Sequence, residues 1–243
     1  MPKRAVVLAG GEGTRLRPYT AVLPKPLMPV GDRPVLDIVL RQLRAAGVEH
    51  VTIATGYLAE LIEAFCSDGR AYGLKIDYFR EREPLGTVGA LATIDGLVEP
   101  FMVMNGDVLT DMSYEGFFTA HLVSGAAATI ATTRRKIEVS LGVMLFEDDA
   151  NDARVTDYIE KPSLVYDASM GVYAFDPRVL AHIEPNVRLD FPDLILRLLA
   201  AGEVVEAHRP GSYWLDLGRH EDYETAMAEF ETMRARLLPA PPD

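Results

Sequence analysis

Residues 6–20 read VVLAGGEGTRLRPYT, and the reading of this stretch decides the fold. The run Arg4–Ala9 has the length and apolar content of a buried strand. It ends in Gly10 and Gly11, with Gly13 two residues further on. Glycines at a strand end let the backbone approach a ligand closely and point amides at an anion. Thr14, Arg15 and Arg17 follow directly. Two familiar phosphate loops are excluded by spacing. Counted from Gly11 and Gly13, the dinucleotide fingerprint needs glycine where Leu16 stands, and a P-loop needs a closing Gly-Lys-Ser/Thr that is missing.

Outward from this loop, short apolar runs alternate with helical patterns. Residues 34–46 read as a helix with Pro34 at its start, Leu36, Val39, Leu40 and Leu43 on one face, and Gly47 closing it. A strand is expected at 51–55. A helix at 57–65 places Leu58, Leu61, Ile62 and Phe65 on one face. Further strands are expected at 74–79 and 101–104, with a short helix at 86–94 between them. Such alternation predicts right-handed crossovers and a mostly parallel sheet covered by helices, a Rossmann-like α/β fold. Ligands on these sheets sit at the carboxyl ends of the strands, which is where Gly10 and Asp107 fall.

The second half changes character. Strand-like runs at 126–133, 141–146, 155–159, 171–175 and 204–207 are separated chiefly by helices at 114–122 and 191–201. This predicts an added, partly antiparallel lobe. No Pro/Gly/Ser linker divides the halves, so residues 1–243 are expected to form a single domain. It would comprise a first lobe to about 125, a second at about 126–218, and a closing helix at about 219–237. In that helix Tyr223, Met227, Phe230 and Met233 are expected to face inward. The final Pro-Ala-Pro-Pro-Asp reads as a frayed tail.

Composition narrows the function classes. The 243 residues carry a formal net charge of -12, which opposes bulk binding to nucleic acid or an anionic membrane. No apolar run approaches the roughly 18 residues of a membrane span, and the apolar run after Met-Pro-Lys-Arg is too short for a signal peptide. The single cysteine, Cys66, permits no internal disulfide and suits a reducing cytoplasm. Against this acidic background the segment between Gly13 and Gly31 has no acidic residue but contains Arg15, Arg17 and Lys25. A local cationic loop predicts a small anionic ligand.

Three further pieces could carry chemistry. Lys25 sits between Pro24 and Pro26, which stiffen the backbone on both sides and leave the ammonium to be aimed. Two cations on a polyphosphate form a substantial term, since one charge pair at about 4 Å is worth about 4 kcal/mol at an effective dielectric near 20. Asn105-Gly106-Asp107 follows a strand; Asn-Gly alone is a turn signal, but a carboxylate there suits magnesium, which takes one or two protein carboxylates plus phosphate oxygens. Asp216, within Tyr213-Trp214-Leu215-Asp216-Leu217-Gly218, is the second candidate. Glu160-Lys161-Pro162 also follows a strand, although such a pair alone is commonly surface decoration. The five histidines lack metal-site spacing, and no G-x-S-x-G elbow supports covalent hydrolysis.

The order of these pieces is specific. Leu8 through Pro18, followed by Leu23-Pro24-Lys25-Pro26-Leu27, closely resembles the signature of the sugar-1-phosphate nucleotidylyltransferases, and within them the mannose-1-phosphate guanylyltransferases and their heptose relatives. Residues 83–91 (EPLGTVGAL) resemble the guanylyltransferase loop before a helix. Asn105-Gly106-Asp107, Glu160-Lys161-Pro162, Gly171-Val172-Tyr173 and Trp214-Leu215-Asp216-Leu217-Gly218 resemble later motifs, in the same order. The resemblance covers residues 4–233.

The resemblance implies a role for each matching position. Leu8, Ala9, Gly10, Glu81, Pro84 and Gly86 would border the base. Gly11, Gly13, Thr14 and Arg15 would hold the triphosphate, with Arg15 on the leaving pyrophosphate, while Lys25 would bridge the phosphates of both reactants. Asp107 and Asp216 would hold Mg2+. Glu160 would meet the sugar hydroxyls, Lys161 the sugar phosphate, and Gly142 the sugar pocket. Ser169 stands where these enzymes carry asparagine, which loosens the implied sugar. The expected partners are a nucleoside triphosphate, with GTP favoured, and a hexose- or heptose-1-phosphate; a homo-oligomer is left open, since the sequence does not set the oligomeric state. Neither nucleic acid nor membrane is expected, nor regulation through an appended β-helix domain. A thymidylyl-, uridylyl- or cytidylyltransferase, on another sugar-1-phosphate or on phosphocholine, remains open, as does an inactive nucleotide-sugar sensor.

Overall fold

The computed structural model describes residues 3–81, 83–148, 151 and 153–239; the end of the expected tail, 240–243, lies outside them. Its strands are β1 (Arg4–Ala9), β2 (Pro29–Val30), β3 (Arg33–Pro34), β4 (His50–Thr55), β5 (Lys75–Arg80), β6 (Phe101–Asn105), β7 (Val108–Thr110), β8 (Ala128–Glu138), β9 (Val143–Phe146), β10 (Val155–Ile159), β11 (Ser163–Phe175), β12 (Val205–His208) and β13 (Trp214–Asp216). The helices are α1 (Val35–Ala45), α2 (Ala59–Cys66), α3 (Tyr114–Ser124), α4 (Phe191–Ala200) and α5 (His220–Leu237).

Seven strands form one mixed sheet in the order β12-β8-β11-β6-β1-β4-β5. The pairs β1–β4, β1–β6, β4–β5 and β12–β8 are parallel, whereas β11 runs antiparallel to both β6 and β8. Chain order departs from β1 in opposite directions, to β4 and β5 on one side and to β6 on the other. The β1/β6 boundary is therefore the switch point of the sheet, where a crevice opens at the carboxyl ends.

Strand alternation sends side chains to two cores. Ala5, Val7 and Ala9 pack on one face under α1, α2, α3 and α5, and Val6 packs on the other with Phe101, Phe175 and α4. Burying β1 on both faces is what its continuous apolar run requires.

Several elements differ from the sequence reading. Leu58 adopts φ 51 and stays outside α2. The helix then buries Ala59, Ile62 and Cys66, leaving Leu61 and Phe65 exposed. Residues 86–94 form no α-helix, only a 3-10 turn at Gly89–Thr93. In α5 the buried row is Ala226, Phe230, Met233 and Leu237, so Met227, one position round from Ala226, is exposed. β8 and β11 extend well beyond their apolar segments as a paired ribbon through Ser163↔Glu138.

His121 in α3 is buried beside the Thr129 hydroxyl, with Nδ1 2.8 Å from Oγ1. Burial holds its imidazole below the ordinary 6.5. The unfolded chain therefore binds this proton more readily, and stability falls as pH drops below about 6.5. Thermal melts between pH 7.5 and 5 should show this loss, and His121→Gln should flatten it.

Candidate active site

A cavity of about 400 Å3 opens at the carboxyl ends of β1, β4, β5 and β6. It collects Leu8, Ala9, Gly10, Gly11, Gly13, Arg15, Lys25, Glu81, Pro84, Gly86 and Asp107, all singled out in the sequence. Pro26, Ala54, Thr87 and Asn105 complete the lining; Pro26, Thr87 and Asn105 fall within motifs read from the sequence but have no role assigned there, and Ala54 carries no signal of its own.

The glycine loop is shaped by its neighbours. Gly13 takes φ 61, and its carbonyl accepts from the Thr20 hydroxyl at 2.8 Å and from Leu16 N–H at 2.9 Å. Thr14, Arg15 and Leu16 form one 3-10 turn, pinned by the fully buried Leu16. Arg15 is thereby presented to the cavity. Thr14 starts the turn and is not in the lining. Arg17 faces outward, 3.6 Å from Glu12.

On the opposite wall, Glu81 Oε2 accepts the Leu85 N–H at 3.2 Å. Burial raises the Glu81 carboxyl above its ordinary value, against the pull of that bond. The following loop is fastened to the approach to α4: Thr87 N–H donates to Asp190 Oδ1 at 3.2 Å, and Phe191 N–H donates to Thr87 Oγ1 at 2.6 Å. Gly86 takes φ 76, and a Cβ there would lie 2.5 Å from the Leu189 carbonyl oxygen. Gly86→Ala should cost about 1–3 kcal/mol, a fall in Tm of about 5 °C by thermal melt.

The charged centre lies between two carboxylates 109 positions apart in sequence. β13 pairs antiparallel with β7, with Asp216 opposite Val108, so Asp216 arrives beside Asp107. The Lys25 ammonium forms an ion pair with Asp107 and stands 3.5 Å from Asp216 Oδ1. Gly218 N–H fixes that same Oδ1 at 2.9 Å. A Cβ on Gly218 would meet Lys25 Nζ at 2.5 Å, Asp216 Oδ1 at 2.9 Å and Arg15 Nη2 at 3.2 Å. Arg15, Lys25 and Asp216 thus converge on one glycine.

The second group of candidates lies outside the cavity. Tyr158 Oη donates to Glu160 Oε2 at 2.8 Å, and its ring covers Gly142 so closely that a Cβ there would overlap it. Gly142 and Glu160 are joined through this tyrosine, which carries no motif or spacing signal. Lys161 follows with φ 45 in the bend between β10 and β11. Ser169 Oγ donates to Tyr173 Oη at 3.2 Å and accepts Gly171 N–H at 3.3 Å. Gly171, at φ 73, is where β11 meets the cavity wall: a Cβ would lie 2.7 Å from Asn105 Nδ2.

A model of the family described as nucleotidyl transferase matches residues 4–233. The chain belongs to the nucleotidyl transferase family. Among curated nucleotidyl transferases it is similar to the mannose-1-phosphate guanylyltransferase catalytic subunit beta of Danio rerio, 32% identical over 234 residues, covering 93% of this chain and 64% of that one. It is also similar to the mannose-1-phosphate guanylyltransferase of Mycobacterium tuberculosis, 33% identical over 229 residues with the same coverage of 93% and 64%. The chain therefore spans less than two thirds of these relatives' length. Among solved structures, HddC from Yersinia pseudotuberculosis complexed with GMP-PN superposes with a TM-score of 0.70 at 26% identity, covering 94% of this chain and 99% of that one. UDP-glucose pyrophosphorylase from Acinetobacter baumanii shares the fold, with a TM-score of 0.71 at 21% identity over 98% and 96% of the two chains. Among the described residues of this nucleotidyl transferase, no helix is long and apolar enough to cross a membrane.

Proposed function

We propose that this nucleotidyl transferase is a cytoplasmic, magnesium-dependent enzyme. It condenses a nucleoside triphosphate, with GTP favoured, and a hexose- or heptose-1-phosphate into a nucleotide-diphosphate sugar and pyrophosphate. The observation that carries this reading is the meeting of Arg15, Lys25 and Asp216 at Gly218, with Lys25 also paired to Asp107 and with Arg15, Lys25 and Asp107 lining the switch-point cavity. GTP is favoured because the relatives are named guanylyltransferases. We assign the nucleotide to the lobe formed by about residues 1–125 and the sugar to about 126–218, with 219–237 closing the fold.

The chemistry asks little of proton transfer. A sugar-1-phosphate oxygen attacks the α-phosphorus, its new P–O bond forms as the bond to the β-phosphate oxygen breaks, and pyrophosphate carries away the displaced charge. The nucleophile is already anionic, so no general base is required. The obstacle is mutual repulsion of two polyanions, and the remedy is positioning plus fixed positive charge. Arg15 offers a planar fork to phosphate oxygens. Lys25 would bridge the phosphates of both reactants, and Lys161 would neutralise the sugar phosphate. Glu160, aligned by Tyr158, would accept sugar hydroxyls.

The residues fit a magnesium ion. Asp107 and Asp216 supply hard anionic oxygens, and a cation, the Lys25 ammonium, already stands between them. Among the described residues no cluster of three or more metal-ligating side chains occurs, so the pair would need phosphate oxygens to complete six-fold coordination. When bound, the ion would stabilise charge on the phosphate oxygens. The decisive test is pyrophosphate release from GTP, ATP, UTP, CTP and dTTP against several sugar-1-phosphates. One strongly preferred pair names the product; silence across the matrix rejects the enzyme.

A second copy of the chain is the partner we assign to the ribbon. Eleven large hydrophobics between Ile137 and Tyr166 are exposed, Leu141 at 72% and Leu164 at 60% among them. The outer edge of β8 is paired only as far as Ala131, and that of β11 only from Val172. Open apolar edges invite strand pairing, and a contiguous run of exposed apolar side chains of this kind marks an association surface. Light scattering should return about twice the 26.7 kDa of the chain. The monomer mass at micromolar concentration would dismiss the assignment.

A further inference from the structure

The ammonium that should act on phosphates stands in the place assigned to the metal. Lys25 is only 11% exposed, is paired with Asp107, and stands 3.5 Å from Asp216. We propose that Lys25 is a built-in competitor of the divalent ion: it neutralises the Asp107–Asp216 pair in the free protein, yields that place to high concentrations of the ion alone, and yields it far more readily when phosphates offer it another anion. Metal affinity is therefore low before nucleotide binds and rises with it. This rests on the reading of Asp107 and Asp216 as the cation site, not on the identity of base or sugar.

Three observations support the exchange. The backbone around Lys25 is fixed by Pro24 and Pro26, by the Leu27 N–H donating to the Pro24 carbonyl at 2.8 Å, and by the Met28 N–H donating to the Lys25 carbonyl at 3.0 Å. Release is then a rotation of the side chain alone. The resting place is specific, because any side chain at residue 218 would displace the ammonium: Gly218 leaves a Cβ position 2.5 Å from Nζ. The destination is near, since Lys25 lines the same cavity as Gly11, Gly13 and Arg15. An ammonium and a divalent cation cannot share two carboxylates without strong repulsion, so each excludes the other.

The exchange is tested on nucleotide-free protein, with Mn2+ as the probe and the free ion counted by electron paramagnetic resonance. Lys25→Met, which keeps the stem and removes the charge, should bind Mn2+ at least about tenfold more tightly than the wild type. Lys25→Arg should stay weak. Adding Asp107→Asn to Lys25→Met should abolish the gain, tying it to this pair. Equal Mn2+ affinity in wild type and Lys25→Met, both folded by circular dichroism, overturns the proposal. A measurement on the unaltered chain guards against a variant that fails to fold: acetylation of Lys25 by acetic anhydride, read by mass spectrometry, should rise as Mg2+ is titrated to tens of millimolar. Labelling that ignores Mg2+ while Lys25→Met cannot be folded also overturns it. No nucleotide enters either experiment, so failure of the enzymatic reading would leave both results unchanged.

Discussion

Asp107→Asn will reduce kcat by about 10³-fold or more at saturating substrates, the several kcal/mol that a well-placed metal contributes to charge stabilisation. The substitution removes charge without changing shape, and the surroundings should accept it. Asp107 lies just beyond β6, whose register with β1 is set by backbone pairing, and the Gly106 N–H still donates to the Leu8 carbonyl at 2.9 Å. Asp216 also remains as a counter-charge for Lys25. Folding should therefore be retained while turnover is lost. The measurement is kcat against Mg2+ concentration for both proteins, with near-ultraviolet circular dichroism to establish the fold. Full wild-type activity in excess chelator would remove the metal from the site.

The nucleotide half of this site was legible in the sequence because its residues are local. A buried strand must be apolar on both sides, its end must turn, and Gly10 to Lys25 follow within one short stretch, so composition and spacing carry the geometry. The parallel order also followed from alternating strands and helices. The meeting of Asp107 with Asp216 was not legible from spacing. It depends on a three-residue antiparallel pairing between β7 and β13, and such short strands have no periodicity to read. The same holds for Thr87, whose place is fixed by bonds to Asp190 and Phe191 more than 100 positions away.

Exposed ribbons are harder still. Alternation identifies a strand by its buried face, and the outer parts of β8 and β11 have none, so the reading stopped short of Glu138 and began late at Gly171. Tyr158 was missed for a related reason: a tyrosine in a strand ordinarily signals packing, whereas this one is exposed and orients Glu160. Helix faces failed where the first residue shifted. One left-handed residue, Leu58, rotated the buried row of α2 by a position.

Lys25→Ala will lower kcat by roughly 10²–10³-fold, the scale for losing one preorganised electrostatic group. The loss should fall on kcat more than on the KM for nucleotide, because Arg15 and the glycine loop still bind the triphosphate while the charge between the two reactants is gone. A purely structural lysine would behave differently: its removal would leave the Asp107–Asp216 pair uncompensated and lower stability, with kcat of the surviving folded protein unchanged. Steady-state kinetics alongside thermal melts separates the two, and an unchanged kcat would take Lys25 out of the chemistry. The contrast with metal binding sharpens the test. The same missing charge should weaken turnover and strengthen divalent-ion binding in the free protein, and a general disturbance of the loop would weaken both. Opposite signs from one substitution are the signature of an ammonium that occupies the cation site at rest and the phosphates in action.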